Sequence, residues 1–196
     1  MRMTLRIVPA SLALAVAVVS LTASHVLARG DSRQPARPVP TAGPVIPAFG
    51  ATYDVPVASL TPSPAAEYKV KFDVAAAPAD PKAVNPAIET VARFVNMHVR
   101  AGVPLNHVKA ALILHGSAAR DALGHPGYRA RHGVDNPNLP LLEALARAGV
   151  RVYLCGQSAA ARGIGWDEIA PVASVALSAM TAHAELAREG YTTNPF

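Results

Sequence analysis

The chain has 196 residues, of which 51% are hydrophobic, 16% are charged and 5% are aromatic. This composition suits one folded domain with appended segments. No second long apolar stretch follows the one at the N-terminus, which excludes a polytopic membrane protein. A single cysteine excludes an intramolecular disulfide and any zinc or iron–sulfur site built from several cysteines.

The formal charge of +5 does not indicate a nucleic-acid partner. Residues 67–196 carry 13 basic and 11 acidic side chains, and the basic ones are scattered among the acids. A protein that binds phosphate backbones normally shows a basic patch interleaved with aromatic residues. We therefore expect no nucleic-acid binding.

The N-terminus has the three parts of a secretory signal peptide. Arg2 and Arg6 precede an uncharged apolar run at residues 7–19, and Val26-Leu-Ala28 places small or β-branched residues before Arg29. This pattern predicts a signal peptide over residues 1–28, cleaved after Ala28, and a periplasmic or secreted protein. The alternative is an uncleaved membrane anchor, because no charge interrupts residues 7–27.

Residues 29–66 are predicted to form a Pro-rich flexible linker. Eight prolines fall within residues 34–64, among Ala, Val, Thr and Gly. Proline at this density disfavours helices and interior strands alike. The segment is interpreted as an unstructured leader, with a spacer or partner-docking arm as the alternative.

The folded domain is predicted to span residues 67–196 and to begin with a strand and a helix. Residues 68–73 alternate between polar and apolar side chains, which is typical of a strand. Asn85 and Pro86 mark a helix start, and an apolar stripe with helical spacing follows until Gly102.

The same alternation continues to the C-terminus. Further strands are predicted at residues 108–114, 150–155, 172–177 and 191–196, with helices at 139–148, 158–162 and 178–189. Strands separated by helices predict one α/β domain with a mainly parallel sheet of about five strands, flanked by helices. An all-α alternative would need helices through 108–114 and 150–154, which are short and bounded by turn residues.

Candidate site residues lie just after the predicted strands, since open α/β sheets bind ligands beyond the carboxyl ends of their strands. Their side chains include a carboxylate, an imidazole, a thiol and hydroxyls. They are Asp73, His115, Gly116, Ser117, Cys155, Gly156, Gln157, Ser158 and Ser178.

Cys155 is the candidate nucleophile. It stands where a strand passes into a helix, and a helix start directed at a thiol favours the thiolate. Arg162 lies two helical turns further on and is predicted to add positive charge, while His115 is a candidate proton donor or relay. The alternatives are a buried, inert cysteine and a structural histidine.

Asn136 and Asn138 form a candidate ligand-facing turn before a helix, where asparagine is also a common cap. Histidines occur at several loops, but no His-x-x-x-His or Cys-x-x-Cys spacing supports a metal site. Gly163 and Gly165 are too sparse for a nucleotide fingerprint. We therefore predict neither a metal nor a cofactor.

Several motifs together resemble the DsrE/DsrF-like family. They are His115-Gly-Ser after a strand, Asp135-Asn-Pro-Asn138 before a helix, Val152-Tyr-Leu-Cys-Gly-Gln-Ser-x-x-x-Arg-Gly163, Val175-Ala-Leu-Ser-Ala, and a C-terminal Gly-Tyr-x-x-x-Pro-Phe. The similarity covers residues 69–196, and the predicted signal peptide places the chain in an exported subgroup.

The resemblance implies a parallel five-stranded α/β domain, a homo-oligomer (trimer or hexamer) and sulfur chemistry. Similar proteins relay sulfur as a persulfide on a cysteine at the position of Cys155, followed by Arg-Gly as at Arg162-Gly163. The partners implied are proteins that donate or accept sulfur.

Two functions follow from the sequence. The first is a cysteine-persulfide sulfur carrier or sulfurtransferase-like relay protein, with Cys155 as nucleophile and His115 and Arg162 in support. The second is a non-catalytic oligomeric protein of the same fold that binds a small anion in the strand-end pocket, with Cys155 inert. Apart from the possible signal anchor, neither involves a membrane.

Overall fold

A computed structural model describes residues 38–194. The strands of this region are β1 (Tyr68–Val74), β2 (Val108–Leu114), β3 (Arg151–Cys155), β4 (Ala173–Ala176) and β5 (Thr192–Asn194). The α-helices are α1 (Pro86–Arg100), α2 (His125–His132), α3 (Leu139–Arg147), α4 (Gly156–Ala161) and α5 (Ala179–Arg188). Short 3-10 helices span Leu105–His107, Gly116–Ala122 and Trp166–Glu168.

The sheet has five parallel strands in the order β4-β3-β2-β1-β5. It is flanked by helices, so the predicted fold class, a single α/β domain with a parallel five-stranded sheet, is confirmed. The central strand β2 is buried along nearly its whole length, as expected for a strand covered on both faces.

Two apolar layers cover the two faces of the sheet. Alternate residues of β1, β2 and β3, such as Phe72, Leu112 and Leu154, belong to the larger core, which includes residues of α1 and α3. The intervening residues, such as Ile113, pack with Leu186 of α5 in the smaller core. The helix α5 therefore covers the opposite face, and it connects the strand at one sheet edge, β4, to the strand at the other, β5.

Helix α2 lies between the strand predicted at residues 108–114 and the helix predicted at 139–148, where the sequence predicts neither a helix nor a strand. Pro126 stands in the first helical turn, where its missing N–H is not needed, and Gly124 and Gly133 are the residues that flank the helix. These residues mark the two ends of a helix. Their density is what makes the segment resemble a loop in sequence.

The segment 38–52, predicted to belong to a flexible linker, instead packs against α1. Thr41 and Thr52 form an antiparallel bridge with N···O distances of 2.7 and 2.9 Å. Ile46 is only 2% exposed and belongs to the main core. Within the described residues the compact unit begins at Pro38, which corrects the predicted domain boundary at Glu67.

One buried side chain holds this segment in place. Asn96 of α1 is fully buried, and its Oδ1 accepts the N–H groups of Val45 (3.3 Å) and Ile46 (3.0 Å). Its Nδ2 donates to the carbonyls of Ile46, Phe49 and Gly50 at 3.0–3.1 Å. Proline prevents regular structure here but not packing, because a side chain satisfies the backbone groups that a helix or sheet would otherwise pair.

The predicted signal peptide, residues 1–28, lies outside the described residues. Among residues 38–194, no helix is both long and apolar enough to span a membrane.

Candidate functional site

Polar side chains gather where β1, β2 and β3 end. Asp73 is the penultimate residue of β1, His115 follows β2, and Cys155 ends β3. Because Leu114 pairs in register with Leu154, residues 115 and 155 come next on adjacent strands. The strand order, which cannot be predicted from the sequence, places β1, β2 and β3 side by side. The predicted residues are therefore neighbours at the carboxyl ends of these strands.

These three residues share the face of the sheet that α5 covers. Ile113 and Tyr153 pack with α5, and His115 and Cys155 stand two residues after them, so they point to the same side. Asp73 contacts α5 directly, through His183.

Asp73 contacts two imidazoles through one carboxylate oxygen. His183 Nε2, from α5, lies 2.8 Å from Asp73 Oδ1 in a hydrogen bond. His115 Nε2 lies 3.0 Å from the same oxygen, within ion-pair distance but without hydrogen-bond alignment. Partial burial raises the pKa of Asp73, but the contacts with His183 and His115 outweigh it and lower the pKa overall. Asp73 is therefore ionised at neutral pH and can orient both rings.

Lys71 lies on the same face of β1, two residues before Asp73. It is only 4% exposed, and its Nζ donates to the carbonyl of His183 at 2.9 Å. This bond holds α5 to β1 at the residue that contacts the carboxylate, so Lys71 helps to position His183.

The thiol of Cys155 is buried and surrounded by hydrogen-bond donors. The residue is 4% exposed, and its Sγ accepts the N–H of Ser158 at 3.4 Å as the N-cap of α4. Burial raises the pKa of Cys155, but hydrogen bonds from Ser158, from the backbone N–H of Ala179 and from that of Gln157 lower it by more, so the pKa lies below its ordinary value. Backbone groups at the starts of α4 and α5 thus stabilise the thiolate.

Ser158 connects the cysteine to the loop after β2. Its Oγ accepts the N–H of Gly116 at 3.0 Å. Its hydroxyl also forms a hydrogen bond with the Cys155 sulfur, and this bond lowers the pKa of the thiol. Gly116 has φ +53°, and a Cβ there would lie 2.5 Å from the carbonyl oxygen of Ala75. Only glycine fits this close approach. Gly116, which is predicted to bind a ligand, therefore has a structural role in the loop after β2.

Ser117 and Gln157 bond to the backbone of neighbouring loops. Ser117 Oγ accepts the N–H of Ala77 at 3.0 Å, and Gln157 Nε2 donates to the carbonyl of Leu177 at 3.4 Å. Gly156 lets β4 approach α4, since a Cβ on it would lie 2.9 Å from the carbonyl oxygen of Ala176. These residues shape the surroundings of Cys155.

Arg162 does not lie with Cys155. It follows the last residue of α4, whereas Cys155 precedes the first, and the six residues of the helix separate them by about 10 Å along its axis. It is also absent from the groups that shift the pKa of Cys155. Arg162 instead lines a separate cleft with Arg120 and Arg131, so its predicted support of the thiolate does not match its position.

Asn136 and Asn138 are also not part of the site, because both are almost fully buried. Asn136 Nδ2 donates to the carbonyls of Asp121 and Leu123, and its Oδ1 accepts the N–H of Asn138. Asn138 Oδ1 accepts the N–H of Asn85 at 2.7 Å. Neither interpretation of the sequence applies, because the Asn138 side chain does not cap α3, and both amides pair buried backbone groups rather than face a ligand.

Asp121 completes this buried network. It is 0% exposed, and its Oδ2 accepts a hydrogen bond from Asn85 Nδ2 at 2.8 Å. Burial raises the pKa of Asp121 to about 6, against lowering effects of Asn85 and Arg120. Arg120 forms an ion pair with Asp121, in which Arg120 Nε lies 3.7 Å from Asp121 Oδ1.

The sequence does not predict that His183 and Lys71 lie beside Asp73 at the site. His183 follows Ala182 in the apolar stripe of α5 that ends at Leu186, so its helical spacing indicates a sheet-facing position. Lys71 alternates with apolar neighbours, which indicates a solvent-facing side chain; only the packing of α5 shows that this face is covered. Within residues 38–194, no cluster of three or more His, Cys, Asp or Glu side chains is arranged to hold a metal.

The fold and site define a parallel α/β domain with a buried cysteine at the end of a strand. The model of the DsrE/DsrF-like family matches residues 69–194, and the chain belongs to this family. No curated protein matches the chain significantly.

Two solved structures are weakly similar to the chain. A protein of unknown function, MTH1491 from Methanobacterium thermoautotrophicum, is 15% identical with a TM-score of 0.49; the alignment covers 65% of this chain and 98% of that one. The ychN protein from E. coli is 17% identical with a TM-score of 0.47, over 65% of this chain and 99% of that one. The family assignment depends on the family model alone.

Proposed function

We propose that the protein is an exported sulfur carrier in which Cys155 holds a persulfide. One observation carries the proposal: the N–H of Ser158 at the start of α4 donates to the buried Cys155 Sγ at 3.4 Å. This contact, together with the Ser158 hydroxyl and a backbone N–H at the start of α5, lowers the pKa of the Cys155 thiol despite its burial. A purely structural, buried cysteine would have a raised pKa. Membership of the DsrE/DsrF-like family, which is linked to sulfur relay, supports the same chemistry.

The proposed step is a transfer of sulfane sulfur from a persulfide donor, R–S–SH. The Cys155 thiolate attacks the outer sulfur, a new S–S bond forms, and the bond between the two donor sulfurs breaks. The electron pair leaves on R–S⁻, so no external oxidant or reductant is needed. With no second cysteine in the chain, the sulfur must pass on to another molecule.

The imidazole of His115 is proposed to supply a proton to the departing thiolate. It stands beside Cys155 in strand register, and Asp73 contacts its Nε2 at 3.0 Å. Asp73 and His183 are positioning residues in this proposal, because they orient the ring without touching the reacting sulfur. The predicted signal peptide supports a periplasmic or extracellular location for this carrier, and we propose that its sulfur donor and acceptor proteins lie in the same compartment.

Native alkylation tests the proposal. We expect a small reagent such as iodoacetamide to modify Cys155 in the folded protein at pH 8, and at mildly acidic pH faster than a model thiol. A Cys155→Ser variant is the matched control, and it should keep the fold and the oligomer. If Cys155 reacts only after denaturant is added, the sulfur-carrier function is wrong and the non-catalytic, anion-binding function replaces it.

We also propose that the protein is a homo-oligomer that uses the exposed surface at the β4 edge. Four large apolar side chains near this edge are largely exposed: Trp166 (61%), Val175 (49%), Leu177 (73%) and Met180 (79%). Clustered exposed apolar side chains of this kind typically mark protein interfaces. We expect a Leu177→Asp variant to sediment as a smaller species than wild type, and a purely monomeric wild type at micromolar concentration would contradict the proposal.

A further inference from the structure

A basic cleft lies between the 3-10 helix after β2, the end of α2 and the loop after α4. Its volume is about 300 Å³, and its lining consists of Ser117, Arg120, Arg131, His132, Arg162 and Ile164. Three of these six residues are arginines, one is a histidine and none is acidic. The volume is at the lower end of the range for ligand sites, which suits a small ligand.

Arg131 has a structural role, because its guanidinium is paired within the fold. Its Nε and Nη2 pair with the two carboxylate oxygens of Glu168 at 3.2 and 2.6 Å. It also donates to the carbonyls of Arg162 and Gly163. Arg131 therefore holds the loop after α4 against α2, and Glu168 balances its charge.

The other basic residues of the cleft are less fully paired. Arg162 forms no hydrogen bond or ion pair with any side chain of residues 38–194 through its guanidinium. Arg120 bonds to the carbonyl of Pro78 through Nη2, and its Nε lies 3.7 Å from Asp121 Oδ1 in an ion pair without a hydrogen bond. His132 Nε2 is buried and unpartnered among the described residues.

A histidine and three arginines therefore line one opening, against two carboxylates, those of Glu168 and Asp121. Burial lowers the pKa of His132, and the positive charges of Arg120 and Arg131 lower it further. The cleft therefore carries a surplus of positive potential.

We propose that this cleft binds a small tetrahedral oxyanion, of the kind represented by sulfate, thiosulfate and phosphate. Arg162 supplies the free guanidinium that contacts the oxygens of the ion, and Arg120, Arg131 and, when it is protonated, His132 add positive charge around the cleft. The site is separate from Cys155 and does not depend on the sulfur-carrier function. An ion that binds there neutralises the potential that disfavours protonation of His132.

The pH dependence follows from the groups that face His132. These are Arg120 and Arg131, together with Glu168, which is paired to Arg131, and Tyr128, whose ring centroid lies 4.6 Å from that of His132. A bound dianion raises the pKa of His132, and by linkage the affinity for the ion increases as the pH falls through the titration of His132.

The test is titration of the purified protein with sodium sulfate, thiosulfate or phosphate at constant ionic strength, followed by calorimetry and by the NMR signals of the His132 ring. We expect saturable binding and a shift of His132 toward its protonated form. Arg162→Gln should weaken binding about tenfold or more, since a charge-assisted contact is lost. That side chain has no structural partner in the described region, so the variant should fold normally. Arg188→Gln, on the exposed surface of α5, is the matched control and should bind as wild type does.

Comparison of the affinities for the three ions distinguishes between two kinds of ligand. Equal affinity for all three supports a general oxyanion site, whereas binding of thiosulfate alone supports a site for a sulfur compound. The proposal is overturned if no ion saturates at millimolar concentrations, or if Arg162→Gln and Arg188→Gln weaken binding equally. It is also overturned if the His132 signals do not respond to a bound ion.

Discussion

Replacement of Asn96 by alanine tests how the segment 38–52 is held to the domain. Asn96 contacts two N–H groups and three carbonyls of that segment. An amide has two N–H donors and one carbonyl acceptor with two lone pairs, so about four of these five contacts count as full hydrogen bonds. At about 1 kcal/mol for each buried hydrogen bond, Asn96→Ala should lower the free energy of unfolding by about 3–5 kcal/mol.

That loss is a large part of the total for a domain whose stability is typically 5–15 kcal/mol. Urea unfolding measures it, and hydrogen exchange of the Val45 and Ile46 amides shows whether the segment detaches. Asn106→Ala is the matched control, because Asn106 is exposed, and we expect a change within about 0.5 kcal/mol. The reasoning is refuted if Asn96→Ala unfolds within about 1 kcal/mol of wild type, or if both amides stay protected from exchange.

Two further predictions concern the thiol and the buried carboxyl. Ser158→Ala should slow alkylation of Cys155 at neutral pH by about tenfold, because the thiolate loses a hydroxyl donor and a hydrogen bond to a charged group contributes about 1.5–3 kcal/mol; reaction rates with iodoacetamide measure this. Asp121→Asn should stabilise the protein at pH 7 by up to about 3 kcal/mol and leave it unchanged near pH 4. Urea unfolding at the two pH values measures this difference.

The sign of the second prediction follows from linkage. The pKa of Asp121 is raised in the folded protein from 3.8 to about 6, so between these pH values the folded state binds more protons than the unfolded state. The free energy of unfolding therefore falls as the pH rises through this window. Asparagine resembles the neutral carboxyl group, so the Asp121→Asn variant lacks this decrease in the free energy of unfolding. An Asp121→Asn protein that is less stable than wild type at pH 7 would show that the charged form is favoured in the fold.

Ser174→Ala provides the control for the thiol prediction. Ser174 is exposed on β4, the strand that pairs with β3 beside the cysteine. This variant should alkylate at the rate of wild type. Equal rates for Ser158→Ala and wild type would contradict the account of how the thiolate is stabilised.

The elements that the sequence predicts correctly are those with strong local signals. Asn85 and Ser178 are the caps of α1 and α5, and their side chains accept N–H groups of Ala87 and Thr181. The buried run of β2 and the cysteine at the end of β3 also lie where the pattern places them. Such features depend only on residues close in the chain.

The parts that could not be predicted depend on contacts between distant residues. The sequence indicates that Asp73, His115 and Cys155 lie at strand ends, but only the strand order makes these strands neighbours. His183 reaches Asp73 across 110 positions of the chain. Asn96 similarly holds a Pro-rich segment some 50 positions away, which no local pattern in that segment indicates.

The central claim is that Cys155 carries sulfur, and the intact mass of the protein tests it most directly. Protein isolated under non-reducing conditions would be incubated with a low-molecular-weight persulfide and measured before and after reduction. The account predicts that each wild-type chain gains one sulfur atom that reduction removes, and that Cys155→Ser gains none. A wild-type protein that gains no sulfur, or a Cys155→Ser protein that gains as much, would contradict the claim.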